Sequence, residues 1–164
     1  MTSLVHLTPA KNIRSIRRAG IRAVSVGRND VTGVYCLPVL PSYQITHQWG
    51  RELRRNGQRT LVAVHFRIPD DEPVLVGHYN APPVQLNSAA AAALIAAEQD
   101  ARGYELLVPR PIRAGEIHRI RGVNRVTGWR YMPNAHGRPP CGCPVCNPRG
   151  AYGAAKIRKA YLDE

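Results

Sequence analysis

The chain predicts an α+β domain, because strand-like and helix-like segments are interspersed without the regular alternation of a doubly wound parallel sheet. Two further observations bound the fold. The 164 residues, 44% of them hydrophobic, suffice for one well-buried core and are short for two. No apolar stretch is long enough to span a bilayer, and no basic segment followed by a long apolar core opens the chain, so a cytoplasmic protein without a membrane segment is expected.

Each element has a local reason. Residues 3–7 read as a strand. Thr8 then suits an N-cap, with Pro9 at the first helical position, Ile13 and Ile16 on one face and Gly20 closing the helix. Residues 34–39 are apolar and rich in β-formers, which predicts a buried strand ending at Pro41. Ser42 can cap a second helix in which Ile45, Trp49 and Leu53 form the inward stripe, with Gly57 at its end. His47, Arg51, Arg54 and Arg55 fall on or near another face of that helix, expected to be basic and exposed; it is either a solvated surface or a contact for phosphate. Residues 60–68 and 74–76 predict two strands. Asn87 or Ser88 can cap an alanine-rich helix running to about Ala101, anchored by Leu94 and Ile95, because alanine has the best helix propensity. Gly103 breaks it, and residues 104–108 and 116–123 read as the last strong strands. The expected organisation is a single domain: an α+β body over residues 1–130 and a basic, cysteine-rich extension over 131–164.

Charge points to the partner. The sequence holds 23 Lys and Arg against 11 Asp and Glu, a net +12, and residues from Arg102 onward carry +8 of it. Such a field attracts nucleic acid or a phosphate-rich cofactor rather than an acidic protein. Arginine supplies most of the excess, and guanidinium suits bidentate phosphate contacts; the abundance of Ala, Gly and Pro alongside it also fits a plain compositional bias.

Three of the four cysteines lie in Cys141-Gly142-Cys143-Pro144-Val145-Cys146. Close thiolates separated by Gly and Pro suit the tight turns of a zinc knuckle, and three thiolate ligands suit a closed structural site. Cys36 or His136 is the expected fourth ligand, with Cys36 preferred because it explains a cysteine in an aliphatic strand; free cysteine is also a common core residue. Zinc would order a Pro- and Gly-rich stretch that cannot bury much apolar surface, and would hold the basic residues 156–159 as a nucleic-acid contact.

Glu105 is the candidate for chemistry. It enters the run Glu105-Leu106-Leu107-Val108-Pro109, and a carboxylate in a hydrophobic strand is destabilising unless it is solvated in a cleft or paired. His6 sits in the strand-to-helix turn Val5-His6-Leu7-Thr8-Pro9. The plain alternative is an outward-facing glutamate and an ordinary half-buried histidine.

His6-Leu7-Thr8 followed by Asn12-Ile13-Arg14-Ser15-Ile16 and Ala19-Gly20-Ile21 resembles the start of the DarT-like branch of the ADP-ribosyltransferases, and Tyr104-Glu105-Leu106-Leu107-Val108 resembles that family's catalytic strand. The two motifs stand in the family's order and cover about a quarter of the chain. The resemblance implies a split fold of two sheets around an NAD cleft, extended here by the cysteine knuckle. It implies that His6 hydrogen-bonds a ribose hydroxyl of NAD, that Thr8 fixes the dinucleotide, and that Glu105 holds the nicotinamide ribose and stabilises the positive charge that builds when the nicotinamide–ribose bond breaks. Tyr35 or Tyr43 would stack on nicotinamide. The family's arginine after the second strand is missing from Cys36-Leu37-Pro38-Val39-Leu40-Pro41, leaving Arg51 of the next helix as a substitute contact to phosphate. Gly103 replaces the Glu or Gln that arginine-modifying transferases carry two residues before the catalytic Glu, which disfavours protein arginine as acceptor. The RNA 2′-phosphotransferases share the fold and also use NAD. A toxin or defence setting, with a neutralising partner protein, is implied by the resemblance alone. The reading from a different class is a non-enzymatic, zinc-stabilised nucleic-acid-binding protein in which His6 and Glu105 are structural.

Overall fold

The first strand organises the fold. In the computed structural model β1 (Thr2–Pro9) pairs along its whole length with β4 (Leu61–Ile68), from Thr2 opposite Ile68 to Pro9 opposite Leu61. The described residues are 1–26, 31–41, 44–58, 60–123, 155, 156 and 159. The chain divides into two compact units, residues 1–41 with 60–123 and residues 42–59 with 124–164.

The first unit is mixed α/β, as the interspersed elements predict. Its remaining strands are β2 (Ser25–Val26), β3 (Thr32–Pro38), β5 (Pro73–His78), β6 (Val84–Asn87), β7 (Tyr104–Val108) and β8 (Ile117–Gly122). Seven of the eight described strands run β6, β5, β7, β3, β1, β4, β8 across one antiparallel sheet, while β2 pairs with β3 off this path. Leu4, Val64, Phe66, Val76, Leu106 and Val108 are buried on one pleat face. α3 (Ser88–Ala97) packs against β3 and β5, with Ala91 and Ile95 buried. A small residue at position 91 lets the helix approach closely. Asn87 is its N-cap, accepting from the Ala90 N–H at 2.7 Å.

Several boundaries differ from expectation for identifiable reasons. Thr8 is not an N-cap. Pairing with β4 keeps the chain extended through Pro9, a 3-10 turn follows at Ala10–Asn12, and α1 runs over Ile13–Ala19. α3 stops at Ala97, where Glu98 turns extended, short of Ala101; Ile95 is its buried anchor, and Leu94 is half-buried. Glu116 lies in the 3-10 turn Ala114–Glu116 rather than in a strand, because it binds Arg110. The strands β2 and β6 are too short for their pattern to stand out.

Gly20 ends α1 as expected, with φ 79°. A Cβ there would come within 2.0 Å of the Ile112 carbonyl oxygen. The close pass lets Ile21 and Ile112 exchange backbone hydrogen bonds of 2.8 and 2.9 Å.

Within the second unit, α2 spans Gln44–Arg55. Ile45 is buried, while Trp49 and Leu53 are half-buried. The expected exposed basic face is only partly so: His47 is buried, Arg51 and Arg54 are half-buried, and Arg55 is exposed beside Glu52 at 3.1 Å. Lys156 and Lys159 are helical and exposed.

Candidate active site

The seam between β1 and β3 is the most unusual feature of the sheet. These strands pair briefly: just beyond Pro38 the Val39 N–H donates to the Ser3 carbonyl at 3.1 Å, and Leu4 pairs with Pro38 and Val5 with Leu37. At the next residue a side chain replaces the ladder: His6 Nδ1 lies 2.7 Å from the Tyr35 carbonyl oxygen. A carbonyl can only accept, so Nδ1 carries the proton and Nε2 is the ring's acceptor. Burial lowers the His6 pKa and outweighs the opposing effect of the carbonyl. His6 is therefore a neutral imidazole of fixed tautomer at neutral pH, suited to accepting from a hydroxyl and unsuited to supplying positive charge.

Thr8 follows on the same strand and is buried. Its hydroxyl accepts from Asn12 Nδ2 at 2.9 Å, which leaves the Thr8 O–H to donate. Asn12 thus orients the Thr8 hydroxyl, a contact that the sequence did not mark out. Its signal was present, four residues after Thr8 in the motif Asn12-Ile13-Arg14-Ser15-Ile16.

Glu105 lies on β7, one residue before Leu106, the partner of Cys36 on β3. On its other side β7 pairs with β5, and the residue opposite Glu105 is Gly77, which offers no side chain to cover the carboxylate. Glu105 is half-buried. Only β3 lies between β1 and β7, so about 10 Å, two strand spacings, separates their backbones where the ladders are intact. Alternation places Glu105 on the pleat face of Leu107 and Tyr35, and His6 on the other face. β3 relates the two residues: its Tyr35 carbonyl receives His6, and the next residue, Cys36, pairs beside Glu105.

The other expected residues are distributed differently. The Tyr35 side chain is half-buried, while its main-chain oxygen already serves His6. Arg51 is on α2 in the second unit, half-buried, and its Nε has no hydrogen-bond partner among the described residues. Burial and the cationic neighbours Arg54 and Arg51 lower the pKa of His47 on the same helix. Tyr43, His136, Cys141, Cys143 and Cys146 lie outside the described residues. Cys36 is a buried thiol whose pKa burial raises well above its ordinary value. Among the described residues no group of three His, Cys, Asp or Glu side chains is placed to hold a metal.

No family model, curated protein or solved structure matches the chain.

Proposed function

We propose that this protein is an NAD-dependent ADP-ribosyltransferase that modifies a nucleic acid, with Glu105 as its catalytic residue. The observation that supports the reading best is the His6–Tyr35 bond at the β1–β3 seam, one β3 residue away from the pairing beside Glu105. In this reading the short seam is where the sheet splits into a β6, β5, β7, β3 half and a β1, β4, β8 half. The dinucleotide enters there and spans the split, meeting His6 on one pleat face and Glu105 on the other. His6 Nε2 accepts from a ribose hydroxyl, the Thr8 hydroxyl donates to the dinucleotide, and Glu105 holds the nicotinamide ribose.

The bond from the ribose carbon to the nicotinamide nitrogen breaks, and nicotinamide leaves with the electron pair. The carboxylate of Glu105 stabilises the oxocarbenium-like charge left on the sugar. A nucleophilic atom of the acceptor then bonds to that carbon and gives its proton to Glu105. A low-dielectric strand position strengthens the carboxylate's effect relative to water. Zinc held by Cys141, Cys143 and Cys146, with Cys36 or His136, is structural in this account and takes no part in the reaction.

The test is incubation of wild-type and Glu105→Gln protein with labelled NAD and separate pools of DNA, RNA and protein, measuring nicotinamide release and label transfer. Release and transfer to nucleic acid by the wild type, reduced at least about 100-fold in the variant, is the expected result. Absence of both NAD binding and release in the wild type would leave a zinc-stabilised nucleic-acid-binding module as the better account.

A further inference from the structure

One edge of the sheet carries a concentrated basic surface that the site above does not use. β8 is the terminal strand of the seven-strand path and pairs with β4. Neither strand contains an Asp or Glu, and together they present His65, Arg67, His118, Arg119 and Arg121. All are exposed except half-buried His65.

The register gathers these groups on one side. His65 stands opposite Arg119 and Ala63 opposite Arg121, so His65, Arg119 and Arg121 share a pleat face, and Arg67 lies two residues along from His65. The register shifts between His65 and Phe66, which sets His118 into an irregularity beside His65, with their ring centroids 6.2 Å apart. His118 and Arg121 both act electrostatically on His65. Arg119 and Arg121 stand two residues apart on that face, and neither β4 nor β8 supplies a carboxylate to offset them. An arrangement of this kind gains when a polyanion supplies the missing negative charge, and arginine spacing along a strand suits successive phosphates.

The same face carries Glu105. Tyr35 pairs with Leu107, two residues beyond Glu105; Leu37, two beyond Tyr35, pairs with Val5; Val5 pairs with His65; and His65 pairs with Arg119. Glu105 and the basic edge thus belong to one pleat face of the sheet, four strand spacings or about 19 Å apart.

We propose that the β4–β8 edge, through Arg67, Arg119 and Arg121 with His65 and His118 between them, is the surface that binds the phosphate backbone of the nucleic-acid acceptor. The inference rests on the nucleic-acid acceptor proposed above, and its test uses no NAD.

The experiment measures binding of a fluorescent single-stranded oligonucleotide to the full chain across a salt series, with no NAD present. A variant carrying Arg67→Gln, Arg119→Gln and Arg121→Gln is compared with one of equal charge loss on α1, carrying Arg14→Gln, Arg17→Gln and Arg18→Gln, whose three arginines are also exposed. The edge variant is expected to bind at least about tenfold more weakly, with the slope of log affinity against log salt reduced by about 2. The α1 variant should stay within about threefold of wild type at moderate salt, where distant charges are screened. Lysine at the three edge positions should restore most of the slope, which separates a phosphate contact from a folding defect. Equal losses in the edge and α1 variants, or an unchanged slope in the edge variant, would overturn the proposal. So would binding to vesicles containing phosphatidylserine without binding to the oligonucleotide. Nicotinamide release from NAD alone, measured separately on the edge variant, should match wild type; failure of the transferase reading would thus appear without affecting this test.

Discussion

His6 donates from Nδ1 to the Tyr35 carbonyl at 2.7 Å, immediately beyond the last backbone pair between β1 and β3. At this part-buried position beyond the paired residues, an imidazole supplies a hydrogen bond to the main chain of β3. The arrangement ties a candidate substrate contact to the main chain of the neighbouring strand.

A pH dependence follows from that bond. Burial lowers the folded-state pKa of His6 below its ordinary value of 6.5, so the unfolded chain binds a proton that the folded one resists. The contribution of neutral His6 is complete above about pH 6.5 and is lost as pH falls from there through the folded pKa. His47 and His65 are shifted in the same direction, mainly by burial. Stability measured by urea unfolding should therefore fall from pH 7 to pH 5, and His6→Gln should make the fall shallower without abolishing it. An unchanged slope in the variant would show that His6 takes up its proton equally in the folded and the unfolded chain.

Gly20 and Gly57 provide a matched pair. Both have positive φ, 79° and 86°, but a Cβ at Gly20 would meet the Ile112 carbonyl oxygen at 2.0 Å, whereas at Gly57 it would meet nothing within 4 Å. Gly57→Ala should lower stability by about 1 kcal/mol, the conformational cost alone. Gly20→Ala should lower it by at least about 3 kcal/mol, because backbone faces backbone and the Ile21–Ile112 bridge must open. Denaturant midpoints of the two variants give the comparison; similar losses would mean that the Gly20 turn relaxes easily.

These positions show what the sequence could reveal. Gly20 and Gly103 were legible as breakers, and β7 has the bounds its apolar run predicts, because those signals are local. His6, Thr8 and Glu105 were legible as candidates by residue type. Their partners were not. Tyr35 receives His6 through a main-chain oxygen, which no residue type encodes, and Gly77 meets Glu105 through a pairing 28 residues away along the chain. His47 misled for a related reason: helical spacing assigns a face, but tertiary packing decides whether that face is covered. The basic edge was hidden because Arg67 and Arg119 belong to separate strands whose register depends on a local irregularity.

The zinc reading has its own test, independent of catalysis. Cys141, Cys143 and Cys146 have the spacing of a knuckle, and removing one thiolate ligand from a tetrahedral structural site should lower metal affinity steeply. Purified wild-type protein should contain close to one zinc per chain by elemental analysis, and Cys143→Ser much less. Cys36→Ser and His136→Ala, assayed in parallel, should identify the fourth ligand, since only one of them should release the metal. Near-stoichiometric zinc in Cys143→Ser would rule out the three-cysteine site.

Arg110 joins two carboxylates from separate parts of the chain. Its guanidinium reaches Glu72 at 2.5 and 2.8 Å and Glu116 at 2.8 and 2.6 Å, and Nη1 also donates to the Pro111 carbonyl at 2.8 Å. The side chains of Glu72 and Glu116 are only 13% and 20% exposed, so removing the cation leaves two poorly solvated carboxylates sharing one site. Arg110→Met should lower stability at pH 7 by about 2 to 3 kcal/mol, below the range for fully buried pairs because the arginine is 32% exposed. Hydrogen bonds from Arg110 hold the Glu116 pKa below its ordinary 4.5. Its contribution in the wild type is therefore complete above about pH 4.5 and is lost as pH falls through the folded value. In the variant Glu116 has lost the cation that lowers its pKa, so only the wild type gives up this contribution as the pH falls. The gap between wild type and Arg110→Met should accordingly narrow below about pH 4.5, measured by denaturant unfolding at pH 7 and at pH 3.5. A gap that stays constant would assign the effect of Arg110 to the packing of its aliphatic stem rather than to its charge.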